Sequence, residues 1–278
     1  MICGLVIVPT LLIVYGWMIL VKISTINKKE QEIFTKGWKN LEDSIGCHFT
    51  TKIIGHSSEV ISNTNFNLLI INGIYKNKPR ECYMKINEKD DKTIESEIYM
   101  GIKGRPFYHD CSNKNWWYEI DDVWLYREME IFYPKSIFID KPENMSIINT
   151  DNINGIECWV IEVALNEEDR GTILMASEPV VLKGGWPHHS DDVKMVTSYR
   201  IWIGKTDNFI YKIVYSLKAT LDDFFYLPEK EYSPRTVKIN VVSEVSIFDY
   251  NKNIDIKTPP KVQEWIDKYY PLEKSGGK

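Results

Sequence analysis

His188-His189-Ser190-Asp191-Asp192 is the densest run of metal-ligating groups in the sequence, two imidazoles followed by two carboxylates. Both groups bind transition metals readily. Adjacent side chains diverge on an extended backbone, however, and no partner for the run is identifiable at a distance, so it reads as a polar loop and no metal is assigned. His109-Asp110-Cys111 sets a thiol beside a base, the two parts of a nucleophilic centre. Such pairs are assembled by folding rather than by adjacency, and the run alone assigns no catalysis. Asp121-Asp122 and Asp222-Asp223 read as turn and surface acids. Nucleophile-elbow, zinc-protease, P-loop and dinucleotide fingerprints do not occur. The sequon Asn144-Met145-Ser146 is too common a pattern to weigh. No catalytic residue and no cofactor follows, and the expected protein is not an enzyme.

The remaining chemistry is apolar. Trp159, Ile161, Val163, Trp202, Tyr211, Ile213 and Tyr215 could line a hydrophobic cavity or fill a core. Taken singly each favours the core. As a group they are the best ligand-binding candidates, because an open sheet that holds a lipid needs apolar surface the protein does not fill itself.

Most of these residues belong to one hairpin, Ser198 to Leu217, whose β-branched and aromatic runs flank a Gly/Asp/Asn cluster. With Lys205 to Asn208 as the turn, Trp202 falls opposite Tyr211 and Arg200 opposite Ile213 on one face. Ile203 with Ile210 and Tyr199 with Val214 share the other. Large apolar groups on both faces imply cover on both sides, or cover on one and a cavity on the other. A bulge at Gly204 would exchange the faces of one strand.

The elements around the hairpin follow in order. Asn27 to Ile45 is an amphipathic helix with Ile33, Phe34, Trp38, Leu41 and Ile45 on its apolar side, ended by Gly46. From Val60 to Arg127, short runs (Asn67 to Ile74, Glu81 to Ile86, Thr93 to Ile102, Trp116 to Ile120, Val123 to Tyr126) predict an antiparallel meander. Pro134 and Pro142 argue against a long regular element in Ile131 to Asp151. Asn154-Gly155 precedes a half-buried strand, Ile156 to Leu165. Glu167 to Thr197 is a long loop of the kind that often carries function. Asp222 to Pro234 is a connection, Thr236 to Asp249 a last strand, and Thr258-Pro259-Pro260 starts a helix. Thr258 is the candidate cap, with Val262, Trp265, Ile266 and Tyr269 on one face.

Composition sets the limits. The 278 residues are 44% hydrophobic and 26% charged, which is globular rather than disordered. A formal charge of −5 with Lys and acids mixed leaves no basic stripe for nucleic acid. Ile2 to Val21 is long and apolar enough to span a bilayer core and reads as a retained anchor or uncleaved signal. Lys22, Lys28, Lys29, Lys36 and Lys39 follow it, and the positive-inside rule would put that flank in the cytoplasm.

Three stretches carry a family resemblance: Asn154-Gly155-Ile156-Glu157-Cys158-Trp159-Val160-Ile161, Tyr199-Arg200-Ile201-Trp202-Ile203-Gly204-Lys205-Thr206 with Ile210-Tyr211-Lys212-Ile213, and Phe248 to Ile256 running into Pro259. With the order of elements, the chain resembles the LolA-like lipoprotein-carrier superfamily, which includes the LppX and LprG group. It departs from it at Gly204, where the turn often has an acid, and in lacking a lipobox.

The resemblance implies an α+β fold, a strongly curved, incompletely closed antiparallel β-sheet (half-barrel) with helices on its concave side, enclosing a cavity for acyl chains. The expected organisation is a transmembrane anchor at 1–23, a LolA-like β domain at 24–272 and a flexible tail at 273–278. The expected partners are a lipid or acyl chain and, through the N-terminal helix, the cell membrane, with the domain extracytoplasmic despite the Lys-rich flank. No particular protein partner is implied. On that side of the membrane at least one pair among Cys47, Cys82, Cys111 and Cys158 would be oxidised. The alternative is an anchored interaction or sensor domain with a packed core and no small ligand.

Overall fold

The computed structural model describes residues 28–57, 65–77, 81–88, 95–101, 106–111, 117–119, 145–163, 194–224, 235–252 and 254–269. The anchor Ile2 to Val21, the run Val123 to Tyr126, Asp121-Asp122, the loop around His188-His189 and the tail from Glu273 lie outside these residues. Among the described residues no helix is long and apolar enough to cross a membrane.

Among the described residues eleven strands form one antiparallel sheet: β1 (Gly46–Ser57), β2 (Asn65–Lys76), β3 (Glu81–Glu88), β4 (Glu95–Met100), β5 (Pro106–Asp110), β6 (Trp117–Glu119), β7 (Met145–Ile153), β8 (Ile156–Val163), β9 (Lys194–Gly204), β10 (Ile210–Phe224) and β11 (Arg235–Phe248). The spatial order is β6-β5-β4-β3-β2-β1-β11-β10-β9-β8-β7. Two meanders therefore meet at a central seam, where Phe49 on β1 stands opposite Ile247 on β11. Among the described strands, the edges β6 and β7 follow one another in sequence and are not paired, so the sheet they form is open.

Alternation along the strands sorts side chains onto two faces. On the first, Ile161, Tyr199, Ile201, Ile213, Val245, Phe49, Ile71, Met84 and Ile98 form one buried cluster that crosses β8 to β4. Helix α1 (residues 28–43) closes part of this face with Phe34, Trp38 and Leu41, each buried at helical spacing. Gly37 allows the approach: a β-carbon there would stand 2.9 Å from Ile203 Cδ1. Ile45, placed on the apolar stripe by the sequence, lies beyond the helix end and is exposed.

Helix α2 (Pro260–Tyr269) packs on the second face, not beside α1. Val262 is buried with Tyr99, Phe107, Ile254 and Ile256, and Trp265 meets Phe107 edge-on at 5.2 Å. The expectation that helices share the concave side is thus corrected for the two described helices. The helix start shifts as well. The Pro259 carbonyl accepts the first helical bond, from Gln263 N, while the Thr258 hydroxyl pairs with Tyr99 at 2.8 Å. Tyr269 is exposed.

Three strands were not expected. β1 hides behind Gly46 and Gly55, although Cys47, Phe49, Thr51 and Ile53 alternate along it. β5 starts on Pro106, a position where a strand tolerates the missing N–H. β7 begins three residues after Pro142 and runs to a two-residue turn at Asn154-Gly155. Both turn residues have positive φ, 52° and 88°, the requirement of the tight turn whose twist matches a hairpin. Asp222-Asp223 lie in β10, so the connection after the hairpin starts later than expected.

No disulfide joins Cys47, Cys82, Cys111 or Cys158, contrary to the expected oxidised pair. Cys47 and Cys82 flank Tyr75 on β1 and β3, two strand spacings or about 10 Å apart, beyond the ~7 Å reach of a bridge.

Candidate functional site

The hairpin register is the first determinant of the site. Ile203 pairs with Ile210, as expected, but the next pair is Trp202 with Lys212, so the bulge is at Tyr211 rather than Gly204. The expected pairs Trp202 with Tyr211, Arg200 with Ile213 and Tyr199 with Val214 are replaced by Trp202 with Lys212, Ile201 with Ile213 and Tyr199 with Tyr215. One extra residue turns Ile213 and Tyr215 onto the face that already holds Ile210, Ile203, Ile201 and Tyr199.

β8 continues that face. Trp159, Ile161 and Val163 stand opposite Ile203, Ile201 and Tyr199. Five of the seven candidates, Trp159, Ile161, Val163, Ile213 and Tyr215, therefore share the α1 side of the sheet. All but the half-buried Trp159 are buried. Lys205 Nζ stands 4.2 Å and Lys29 Nζ 5.1 Å from the Trp159 ring, and Lys205 also pairs with Glu157.

Trp202 and Tyr211 do not join this lining. Trp202 lies on the second face, donates from Nε1 to Asp151 Oδ2 at 3.0 Å and has Lys212 Nζ 5.3 Å from its ring. Around it that face is polar, with Arg200–Glu162 and Lys212–Glu244 ion pairs at 2.9 Å each. Tyr211 sits in the bulge beside Gly204 and donates its phenol to Asp207 at 2.5 Å. Burial and then the Asp207 carboxylate push that phenol well above its ordinary pKa.

Hydroxyls interrupt the apolar face near its centre. Tyr215 stands opposite Tyr199 on one side and Ser243 on the other, and Thr51 lies diagonally across the β1–β11 seam from Ser243. Ser243 is fully buried and Thr51 is 2% exposed, and neither hydroxyl has a hydrogen-bond partner among the described residues. Burial, with Tyr215 adding to it, pushes the Tyr199 phenol far up. The sequence reading missed Thr51 and Ser243. The signal for Ser243 was a polar residue in the buried phase of the Ser243, Val245, Ile247 alternation. Thr51 was out of reach once β1 was overlooked.

A second cluster sits on β4 and β5, on the face that carries α2. Glu97 is directly opposite His109, and Glu97 Oε2 lies 3.1 Å from His109 Nδ1. Cys111 Sγ is 3.6 Å from the same nitrogen, so folding does bring this thiol and base together. Glu97 Oε1 accepts from Tyr83 at 2.5 Å and faces Lys85 Nζ at 3.4 Å. Burial raises the Glu97 pKa, but the Tyr83 and His109 hydrogen bonds and the Lys85 charge outweigh it and hold the carboxyl below its usual range. The other sequence candidate for metal, His188 to Asp192, lies outside the described residues.

No protein-family model matches this chain, and no curated protein does. Among solved structures, it is similar to the lipoprotein LppX of Mycobacterium tuberculosis, with TM-score 0.46 and 7% identity over 83% of this chain and 99% of that one. LprF of Mycobacterium bovis gives TM-score 0.44 and 12% identity over 84% and 97%. A LolA superfamily protein of Nitrosomonas europaea gives 0.29 and 11% over 84% and 96%. Of these three, the Nitrosomonas europaea protein carries the LolA superfamily name.

Proposed function

We propose that the chain is a membrane-anchored, extracytoplasmic, non-catalytic binding or carrier domain for a lipid or other acyl-chain ligand. One observation carries this reading: the apolar face is wider than the helix laid on it. α1 measures about 24 Å at ~1.5 Å per residue. The eight strands from β4 to β8 that carry the apolar face, ~4.8 Å apart, span about 34 Å. The apolar face continues from β8 through β4 with its side chains buried, and among the described residues α1 is the helix that covers it, over part of its width. An acyl chain laid along it would gain about 0.8 kcal/mol per buried methylene. Thr51 and Ser243 then offer donors to a polar head or ester within an otherwise apolar lining. Trp159, Ile161, Val163, Ile213 and Tyr215 are the lining residues retained in this reading.

The packed-core alternative rests on the close contact of Gly37 with Ile203, which leaves no room for a ligand beneath that part of α1. The two readings differ in what the purified domain carries. Mass spectrometry of its organic extract should find a lipid, and a fluorescent fatty acid should bind at micromolar concentration. Tyr215→Asp should weaken that binding, because a carboxylate in the lining must be desolvated or stay protonated. Lys212→Asp, on the opposite face of the same strand, should not. A wild-type domain that yields no lipid and binds no analogue would leave the interaction-domain reading.

A further inference from the structure

We propose that Glu97, His109 and Cys111 form a binding site for a divalent ion of the zinc class. The three side chains come from neighbouring positions of one sheet face: Glu97 on β4, His109 opposite it on β5, and Cys111 two residues on. Their ligand atoms all lie within 4.8 Å of one another. In a tetrahedral site with Zn–N and Zn–O near 2.05 Å and Zn–S near 2.3 Å, the N···O edge is about 3.3 Å and the N···S edge about 3.6 Å. The observed separations are 3.1 Å from His109 Nδ1 to Glu97 Oε2 and 3.6 Å from His109 Nδ1 to Cys111 Sγ. The remaining pair, Glu97 and Cys111 Sγ, lies within 4.8 Å against a tetrahedral O···S edge of about 3.6 Å, so the ion would draw the thiol, at the end of β5, toward the carboxylate.

The ligand set selects the metal. A thiolate and an imidazole suit zinc or cobalt and poorly suit calcium or magnesium, which prefer oxygen ligands throughout. The two oxygens of Glu97 divide the work: Tyr83 and Lys85 hold Oε1, which aims Oε2 at His109. Support of this kind behind a ligand normally counts in metal affinity. His109 and Glu97 side chains are 15% and 20% exposed, so an ion can arrive from solvent and keep a water in the fourth position.

The test is Co2+ and Zn2+ titration of the full-length chain in detergent. Co2+ should produce a thiolate charge-transfer band in the near ultraviolet and visible bands of tetrahedral intensity, and Zn2+ should bleach both. Cys111→Ser should remove the charge-transfer band, and His109→Ala the visible bands. Tyr83→Phe should weaken affinity by roughly 10-fold or more through Glu97. Circular dichroism and thermal unfolding of each variant separate lost ligation from lost folding. His188→Ala/His189→Ala should leave the spectrum unchanged. The proposal is overturned if Co2+ gives no thiolate band, or if folded Cys111→Ser and His109→Ala proteins bind Zn2+ like wild type.

Discussion

Gly37 on α1 and Ile203 on β9 are in such close approach that a β-carbon on the glycine would fall 2.9 Å from Ile203 Cδ1 and 3.3 Å from Ile210 Cγ1. Replacing it sets two effects against each other. Alanine gains about 1 kcal/mol of helix propensity, and only side-chain ends need give way. Gly37→Ala should therefore be close to neutral in urea unfolding. Gly37→Leu should lose about 1–3 kcal/mol by overpacking. Equal stability of the leucine variant and wild type would show that α1 can lift off the sheet.

The C-terminal end of α1 is tied to the β2–β3 turn by one amide. Asn77 Nδ2 donates to Leu41 O at 2.9 Å, to Ser44 O at 2.8 Å and to Ser44 Oγ at 3.2 Å. Helix ends leave carbonyls without intrahelical donors, and this side chain supplies them. Asn77→Ala should cost about 1–3 kcal/mol, read as a lower urea midpoint with an unchanged slope. Asn77→Asp should cost more, because a carboxylate cannot donate to those carbonyls.

Thr51 gives the opposite sign. Its hydroxyl is buried with no partner among the described residues, so Thr51→Val removes a desolvated polar atom at nearly constant shape. Such a change should be neutral or stabilise by up to about 1 kcal/mol. The same variant should weaken binding of a fatty acid whose head the hydroxyl would meet. A clear loss of stability would mean that the hydroxyl is satisfied in the folded protein.

Alkaline pH should destabilise the domain partly through Cys47. Burial pushes this thiol up to about 12 from an ordinary value of 9.0. The unfolded chain then loses its proton first, so the contribution is complete below pH 9 and declines as pH rises toward 12. Cys158 behaves alike, raised to about 11 by burial and then by Asp207 and Asp151. Denaturant midpoints measured from pH 8 to pH 10.5 should fall, and Cys47→Ala should flatten the slope. In the native state both thiols should resist alkylation at pH 8.

Much of the sheet was legible because its strands alternate in plain sight. Val245 and Ile247 on β11, or Ile161 and Val163 on β8, mark one face without help from the rest of the chain. The bulge at Tyr211 was not legible. Bulge position depends on which residue the partner strand leaves unpaired, and both Gly204 and Tyr211 satisfy the local pattern. That one residue decided which hairpin side chains joined the lining. The Glu97–His109 contact was equally hidden, since it needs the β4–β5 register and β5 was not seen as a strand. His109 and Cys111 were noticed from sequence, but their third partner was not.

The seam between β1 and β11 makes the order of synthesis matter. Among the described strands a ribosome delivers β1 first and β11 last, so the centre of the sheet is completed only when β11 has emerged. Until then β1 presents a long unpaired edge, a template for pairing with the wrong chain. A permuted order in which β7 to β11 precede β1 to β6 would make every hydrogen-bonded neighbour among the described strands consecutive, lowering contact order without altering a described strand pair.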